Sequence, residues 1–439
     1  MRATLRGLLV GALLMGAPGA AQAVSDMELL LDTLVEKGVL TDLEAGNIRR
    51  EITAQKPAQT KELAKEIVPK WAQSITFSGD LRLRQESFKR DPVEQSTSTT
   101  SPSSNSTETR HRQRARLRLG AKATVTDQLE AGLRLATGTN LDPIGTNQSF
   151  QDTFDKKDIF VDQMYLKYTT AGGPLEAVPA TIVGGKFENP FYATPMLWDG
   201  DLTFEGGVWT VNPAVGPVSL FATSGAFPLD ELSTNGGDPM LWGNQIGASW
   251  NIAPDATEEW LKNLSVKGAV GYYDFANMEN TVDTFTNTLG NTGVYSGGTA
   301  PNFTAFRPTY DFDEVDLLGE VTSQVMGQPV KLYWDYVKNT AVADNDEGFH
   351  IGGKVGKADK PLAWEGGYYY QRLEPDAVFG LFADSDFGEG GTNRSGHVYY
   401  AALGTLRNST IGFKWLVTEQ LTGPDRSIDR VQVDWVTKF

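Results

Sequence analysis

A regular series of long candidate strands runs through the chain, and its spacing limits the possible folds more than any other feature. Most of these segments are about 10–14 residues long, whereas strands of soluble proteins average ~5–6 residues. A tilted strand that crosses a bilayer needs ~9–11 residues. We predict sixteen strands, at residues 73–86, 112–123, 128–139, 159–169, 178–188, 202–211, 216–226, 243–252, 262–275, 310–323, 328–340, 347–357, 361–372, 396–404, 409–419 and 427–439.

The connections between these strands alternate in length. Long connections follow strands one, three, five, seven, nine and thirteen, at 87–111, 140–158, 189–201, 227–242, 276–309 and 373–395. Tight turns follow even-numbered strands, for example at 124–127, 212–215, 324–327 and 405–408. This alternation is typical of a closed membrane barrel. The predicted fold class is therefore all-β, a transmembrane antiparallel β-barrel of about sixteen strands, or eighteen if 276–309 contains a further hairpin.

Apolar and polar side chains alternate within the strands with a period of two. Leu81 and Leu83 share one face of the first strand. In the last strand the apolar face carries Val431, Val433, Trp435 and Phe439, and the opposite face carries Gln432, Asp434 and Lys438. Alternation keeps the average hydropathy of a barrel low, which fits the mean hydropathy of −0.31.

The beginning of the chain has the features of an export signal. Arg2 and Arg6 form a positively charged start, Gly7–Met15 is a short apolar run, and Ala21-Gln-Ala23 matches a cleavage site. The apolar run is too short to span a bilayer, which needs ~20 residues as a helix. We therefore predict a signal peptide over 1–23, cleaved after Ala23.

Residues 24–70 differ from the strands that follow. Apolar residues recur at helical spacing in Ser25–Lys37, and Thr41-Asp-Leu-Glu44 matches a capping box. The segment predicts a short α-helical periplasmic region, acting either as a plug or protomer contact or as a flexible tether. The barrel is assigned to residues 71–439. With no cysteine in the chain, its stability has to come from the hydrogen-bonded sheet.

Several short stretches resemble known outer-membrane proteins. The entry strand Ile75-Thr-Phe-Ser-Gly-Asp-Leu-Arg-Leu-Arg84 and the terminal Phe439 resemble porin families of Gram-negative outer membranes. Val183-Gly-Gly-Lys-Phe-Glu-Asn-Pro-Phe191 is similar to a strand-to-loop segment of phosphate-selective-type porins. The resemblance implies a passive diffusion channel, often a homotrimer, among outer-membrane lipid and lipopolysaccharide. Both chain ends are then expected in the periplasm.

A row of arginines is expected on the inner face of the first three strands. Because Leu81 and Leu83 take the outer face, the alternate positions point inward. Arginine near the midplane of the lipid face costs ~2–4 kcal/mol, which favours the same orientation. The predicted basic wall of the pore consists of Arg82, Arg84, Arg112, Arg114, Arg116, Arg118 and Arg134. Such a wall attracts anions and orients polar solutes. In the alternative interpretation, the arginines pair with carboxylates and only stiffen the barrel.

The third long connection, 189–201, is expected to narrow the pore. In general porins the third external loop folds into the barrel, and Pro190, Pro195 and Gly200 can shape such a loop here. The predicted constriction residues are Glu188, Tyr192, Trp198, Asp199, Asp201 and Glu205. Their carboxylates facing the arginines would create a field across the pore.

Other classes of function have little support in the sequence. The histidines are His111, His350 and His397, without catalytic or metal-binding spacing. The absence of cysteine excludes a thiol nucleophile, and a pI of 4.8 disfavours nucleic-acid binding. We therefore expect no enzyme activity, no metal and no cofactor, and a pore for ions and small hydrophilic solutes. The alternative is a secreted or surface-exposed β-protein for glycan binding or adhesion.

Overall fold

The structure is a computed structural model that describes residues 74–93, 106–139, 142–170, 179–232, 237–278, 289–299 and 302–439. Ser74–Phe439 forms one compact unit. The predicted signal peptide and the predicted periplasmic helices lie outside the described residues. Within those residues, no helix has the length and apolar character to cross a membrane.

Sixteen antiparallel strands form a closed barrel, as the sequence predicts. In chain order they are β1 (Ile75–Val93), β2 (Ser106–Thr124), β3 (Leu129–Thr137), β4 (Ile159–Thr169), β5 (Ala180–Glu188), β6 (Thr203–Val211), β7 (Val218–Pro228), β8 (Met240–Asn251), β9 (Ser265–Ala276), β10 (Asp313–Val325), β11 (Gln328–Asn339), β12 (Glu347–Gly356), β13 (Trp364–Leu373), β14 (Arg394–Leu406), β15 (Ser409–Gln420) and β16 (Ser427–Lys438).

Each strand pairs with its neighbour in sequence, and β16 closes the barrel against β1. In this last pair Leu83 lies opposite Trp435. The backbones of Phe439 and Gly79 exchange two hydrogen bonds, of 2.7 and 2.9 Å. A Cβ at position 79 would lie 2.6 Å from the Phe439 ring, so glycine is needed where the terminal aromatic side chain crosses the first strand.

The outer face of the barrel is apolar because the period-two pattern turns one set of side chains outward on every strand. The exposed large apolar side chains include Leu81, Leu119, Leu133, Leu166, Ile182, Trp209, Ile246, Val270, Leu317, Leu332, Ile351, Tyr399, Phe413 and Val433. An apolar outer band is the surface that a bilayer requires of a barrel.

The eighteen-strand alternative is wrong, although the long connection does contain a hairpin. Gly293–Thr299 and Asn302–Pro308 pair only with each other, as a two-stranded sheet apart from the barrel. Tight turns and the short helix α1 (Glu259–Lys262) join other strands. β1 and β2 also extend further than predicted, to Val93 and from Ser106, because their pairing continues through Phe88 opposite Arg110.

Two connections fold into the barrel and build a hydrophobic core there. The first, residues 189–202, buries Phe191, Met196, Leu197 and Trp198, and the second, residues 374–393, buries Ala377, Val378, Phe379 and Ala383. Both pack on inward aromatic side chains of β5–β9. The Phe191 ring occupies a recess in β8, where a Cβ at Gly243 would lie 2.5 Å from the ring. The interior is therefore divided between this core and the charged surface opposite.

Candidate functional site

The charged part of the inner surface is a wall formed by β1, β2, β3 and β16. All seven arginines predicted from the sequence lie on it, together with Arg430 of β16. Arg84, Arg116 and Arg430 are buried, with 4%, 7% and 2% of their surface exposed. Buried guanidinium groups require carboxylate partners, and the wall supplies them.

One half of the wall centres on Glu86, which is fully buried. Its carboxylate accepts hydrogen bonds from Arg112, from Arg430 at 2.6 Å and from Gln432 at 3.2 Å. Arg84 lies beside it and donates to Asp434 at 2.7 Å and to Asp386 at 2.9 Å. These contacts join three strands and the inward connection 374–393 into one network of alternating charges.

The other half of the wall centres on Asp80 and Asp201. Arg116 donates to Asp80 at 2.9 Å and to Asp201 at 3.0 Å. Arg118 binds the same two carboxylates at 2.7 and 3.3 Å. Arg82 donates to Asn147 at 2.6 Å and lies 4.0 Å from Asp201. A single aspartate from the first inward connection therefore lies among three arginines of the wall.

The two remaining arginines of the predicted set have different partners. Arg114 donates to the backbone carbonyl of Asn147 at 3.2 Å. Arg134 of β3 binds Asp162 of β4 and also Glu188 at 2.7 Å. Glu188 closes β5 and its side chain is largely exposed, with a relative accessibility of 73%. This pair therefore lies at a solvent-accessible part of the wall.

The structure brings together only part of the predicted constriction set. Asp201 and Glu188 contact arginines of the wall, as described. Glu205 instead binds Lys186 at 2.5 Å, and Tyr192 donates to Glu320 at 2.9 Å on the far side of the barrel. Trp198 is 3% exposed and packs against Phe204 at 5.1 Å between ring centroids, which makes it a core residue.

Asp199 holds the two inward connections to each other. Its backbone N–H donates to Phe382 at 2.7 Å, and its carboxylate accepts from the N–H of Ser385 at 2.8 Å. The Asp384 N–H donates to Pro195 at 3.0 Å. Burial, reinforced by the nearby Asp384 carboxyl, raises the pKa of Asp199 to about 7. Burial also raises the pKa of Asp384. These contacts form a latch between the two connections.

Sequence reasoning missed Glu86, Arg430 and Asp386. Arg430 could have been found, because it shares the inner face of β16 with Gln432 and Asp434. Glu86 follows Arg82 and Arg84 at the same spacing on β1. No periodic signal marks Asp386, since its position depends on the path of an irregular connection. Within the described residues, no group of side chains has the arrangement of a metal site.

The closed barrel, its apolar outer band and its charged inner wall define the class of outer-membrane β-barrel channels. The family comparison agrees with this class: residues 34–310 and 308–439 match the family described as "Putative porin". The match covers most of the chain, which therefore belongs to this porin family. No curated protein matches the chain.

Solved structures to which the chain is similar include outer-membrane proteins of three bacteria. OprB of Pseudomonas putida at high pH superposes with a TM-score of 0.51 at 14% identity, covering 88% of this chain and 97% of that one. The outer-membrane channel DcaP of Acinetobacter baumannii gives 0.45 at 13% identity, with coverages of 83% and 97%. OmpT of Vibrio cholerae gives 0.43 at 13% identity, with coverages of 83% and 97%. The likeness to OprB supports the barrel fold.

Proposed function

We propose that this porin is a passive diffusion channel for ions and small hydrophilic solutes, with the arginine wall and the acidic side of connection 189–201 lining its path. The observation that carries the proposal is an open space of about 230 Å³ beside the wall. It is lined by Asp80, Arg118, Lys122, Arg134 and Glu188, among other residues. Charged side chains that border water-sized space inside a closed barrel are the expected lining of a polar pore.

The charges along this path alternate in sign. Arg118 and Arg134 provide guanidinium groups, and Asp80, Asp201 and Glu188 provide the facing carboxylates. A solute moving along such a wall exchanges hydrogen bonds to water for hydrogen bonds to both signs of charge. The arrangement orients polar solutes and lets them leave again, because no single charge dominates. Transport then needs no catalysis and no bound cofactor.

Both chain ends lie on the periplasmic side in this scheme, since β1 and β16 are neighbours and the long connections lie at the opposite rim. Outer-membrane lipid and lipopolysaccharide are the expected partners of the apolar outer band and its rim. A homotrimer follows from the resemblance to porins. Membership of a porin family and the apolar outer band disfavour the alternative of a secreted glycan-binding protein.

The first test is single-channel conductance in a planar bilayer, with the reversal potential measured in a potassium chloride gradient. Stable ohmic steps are expected. Asp201→Asn should shift the reversal potential toward anion preference, because three arginines lose their shared counter-charge. Asp155→Asn, in an exposed connection, is the control for removal of one negative charge. Folded, inserted protein that carries no current would contradict the proposal.

A further inference from the structure

The inner surface of β11–β14 carries an aromatic floor formed by the rings of Tyr333 and Tyr400. Tyr333 lies opposite Gly352 on the neighbouring strand, and Tyr400 lies opposite Gly367. A Cβ at Gly367 would lie 2.3 Å from Cζ of Tyr400, and one at Gly352 would lie 2.7 Å from the hydroxyl of Tyr333. The two rings therefore lie across the glycines, with their hydroxyl oxygens 3.5 Å apart.

A second row of rings supports this floor. His350 and Tyr369 stack with centroids 4.4 Å apart and an angle of 27° between their planes. His350 also stacks on Tyr333, at 5.4 Å and 28°. Both supporting rings are buried, and His350 Nδ1 is 3.0 Å from Oε1 of Gln371. The floor is thus held from one side, while Tyr333 and Tyr400 stay partly accessible from the lumen.

The floor borders a cavity of about 370 Å³, which is also lined by residues 192–195 of the first inward connection. This volume lies within the range of about 300–1,000 Å³ that is typical of small-molecule sites. Three lysines lie around it, and each has a carboxylate partner: Lys331 with Glu320 at 2.5 Å, Lys354 with Glu365 at 3.5 Å and Lys414 with Asp386 at 3.8 Å. Asp384 also lines the cavity and is buried. Because the lysines and their carboxylate partners offset each other, the cavity favours a neutral polar solute over an ion.

We propose that this cavity binds a neutral sugar in its pyranose form, with one face of the sugar ring stacked on Tyr333 and Tyr400. A pyranose has a flat face of C–H groups that suits an aromatic surface, and its rim of hydroxyl groups can both donate and accept hydrogen bonds. Tyrosine hydroxyls, ammonium groups and carboxylates surround the floor and match that rim. The site rests on the proposed function, because a solute reaches it through the lumen.

Calorimetric titration of the purified, detergent-solubilised protein tests binding without requiring conduction. Glucose is the probe, and sorbitol is the matched control because it carries similar hydroxyl groups on an open chain. Glucose should bind measurably and sorbitol should not. Tyr400→Ala should weaken glucose binding by about fivefold or more, in line with the strength of ring stacking. Tyr399→Ala removes the same side chain from the outer face of the same strand and should leave binding unchanged.

A glycine pair provides a second test that keeps every aromatic side chain. Gly367→Ala introduces a methyl group where the Tyr400 ring lies and 2.8 Å from the backbone oxygen of Gly353, so the ring must leave the floor, the strand must shift locally, and glucose binding should fall. Gly366→Ala is the matched control, since its Cβ would meet no atom closer than 3.8 Å. Heat-modifiable gel migration verifies that each variant is folded. Equal binding by the two variants, or equal binding of glucose and sorbitol, would overturn the stacked site.

Current block in the planar bilayer separates this inference from the proposed function. Glucose should reduce the potassium chloride current of the wild type more strongly than that of Tyr400→Ala. An absence of current with intact glucose binding would contradict the channel and retain the sugar site. A normal current with no glucose binding would contradict the site and retain the channel. Binding of benzoate in place of glucose would show that the floor takes planar anions, which also overturns the proposal.

Discussion

The two sides of the barrel interior stabilise their buried side chains in opposite ways. On β1, β2 and β16 the inward positions carry charges, and Glu86 and Arg430 are buried as a pair at 2.6 Å. On β5–β9 the inward positions carry aromatic rings, and Phe204 and Phe227 lie 4.9 Å apart. The charged side has carboxylates of its own and takes two more, Asp201 and Asp386, from the inward connections. The apolar side needs the same connections as a hydrophobic cover.

This difference shows that the alternating pattern determines which side chains point inward but not which groups they then contact. A row of charged groups can pair across neighbouring strands, since directly opposite side chains lie about 4.5–5.5 Å apart. A row of aromatic side chains gains stability only when something apolar covers it. Connection 189–202 supplies that cover with Phe191 and Trp198. The apolar side of the barrel therefore stabilises the inward fold of this connection in addition to the contact of Asp201 with the arginines.

The largest loss of stability is expected when the buried ion pair of Glu86 and Arg430 is broken. Glu86→Gln leaves Arg430 buried without its closest counter-charge, near Arg84 and Arg112. Breaking a buried ion pair in this way costs about 3–5 kcal/mol. The free energy of unfolding of vesicle-inserted protein, measured in guanidinium chloride, should fall by that amount.

A matched exposed pair is the control for Glu86. Glu205→Gln removes the partner of Lys186, whose contact is equally short but lies at a solvent-accessible position, with Glu205 62% exposed. Its expected cost is about 0–1 kcal/mol. The double variant Glu86→Gln with Arg430→Met should recover part of the loss. Similar costs for the two single variants would mean that the wall does not depend on its buried pairs.

A somewhat smaller loss of stability is expected when a buried ring is removed from the apolar side. Trp198→Ala removes a buried ring that contacts Phe204, Tyr273 at 5.2 Å and Phe382 at 6.0 Å. The expected loss is about 3 kcal/mol, at the lower end for such a truncation, because an irregular connection can partly close the cavity. The same unfolding measurement applies. Trp209→Ala, on the outer face, should cost less than half as much; a larger loss there would argue against a core inside the barrel.

The barrel could be predicted from the sequence because strand length, alternation and connection length all depend on local patterns. The existence of a hairpin in the ninth connection could be suspected, but its separation from the barrel could not. Whether Gly293–Thr299 pairs with β9 or only with Asn302–Pro308 is a tertiary question. Alternation on β9 and β10 gives the same pattern in both cases.

The charged site could be predicted only in part, for the same reason. Spacing alone identifies the strand face of Arg116 and Arg118, but their shared contact with Asp201 depends on the path of an irregular connection. Trp198 and Asp199 stand next to Asp201 in a segment read as one acidic, pore-facing loop. They belong instead to the core and to the latch, because neighbouring residues in an irregular segment can point in unrelated directions.

The smallest effect is expected at the latch, where the two sides of the interior meet. The pKa of Asp199 is raised from 3.8 to about 7, first by burial and then by Asp384. The folded latch therefore binds this proton more tightly than the unfolded chain does. Its stabilising contribution is complete below about pH 4, falls as the pH rises to about 7, and levels off above that value.

Loss of this contribution should loosen the contacts of Asp199 with Phe382 and Ser385, so current fluctuations should increase between pH 5 and pH 8. The charged groups that face the latch are Asp201, Asp384, Asp386, Lys414 and Arg430. Although burial opposes it, the pKa of Asp386 lies well below its usual range beside Arg430 and Arg84, so this group stays charged throughout. Asp199→Asn should reduce the pH dependence of the fluctuations, and the remainder belongs to Asp384, whose pKa is also raised by burial. An unchanged pH dependence in that variant would place the titrating group elsewhere in the pore.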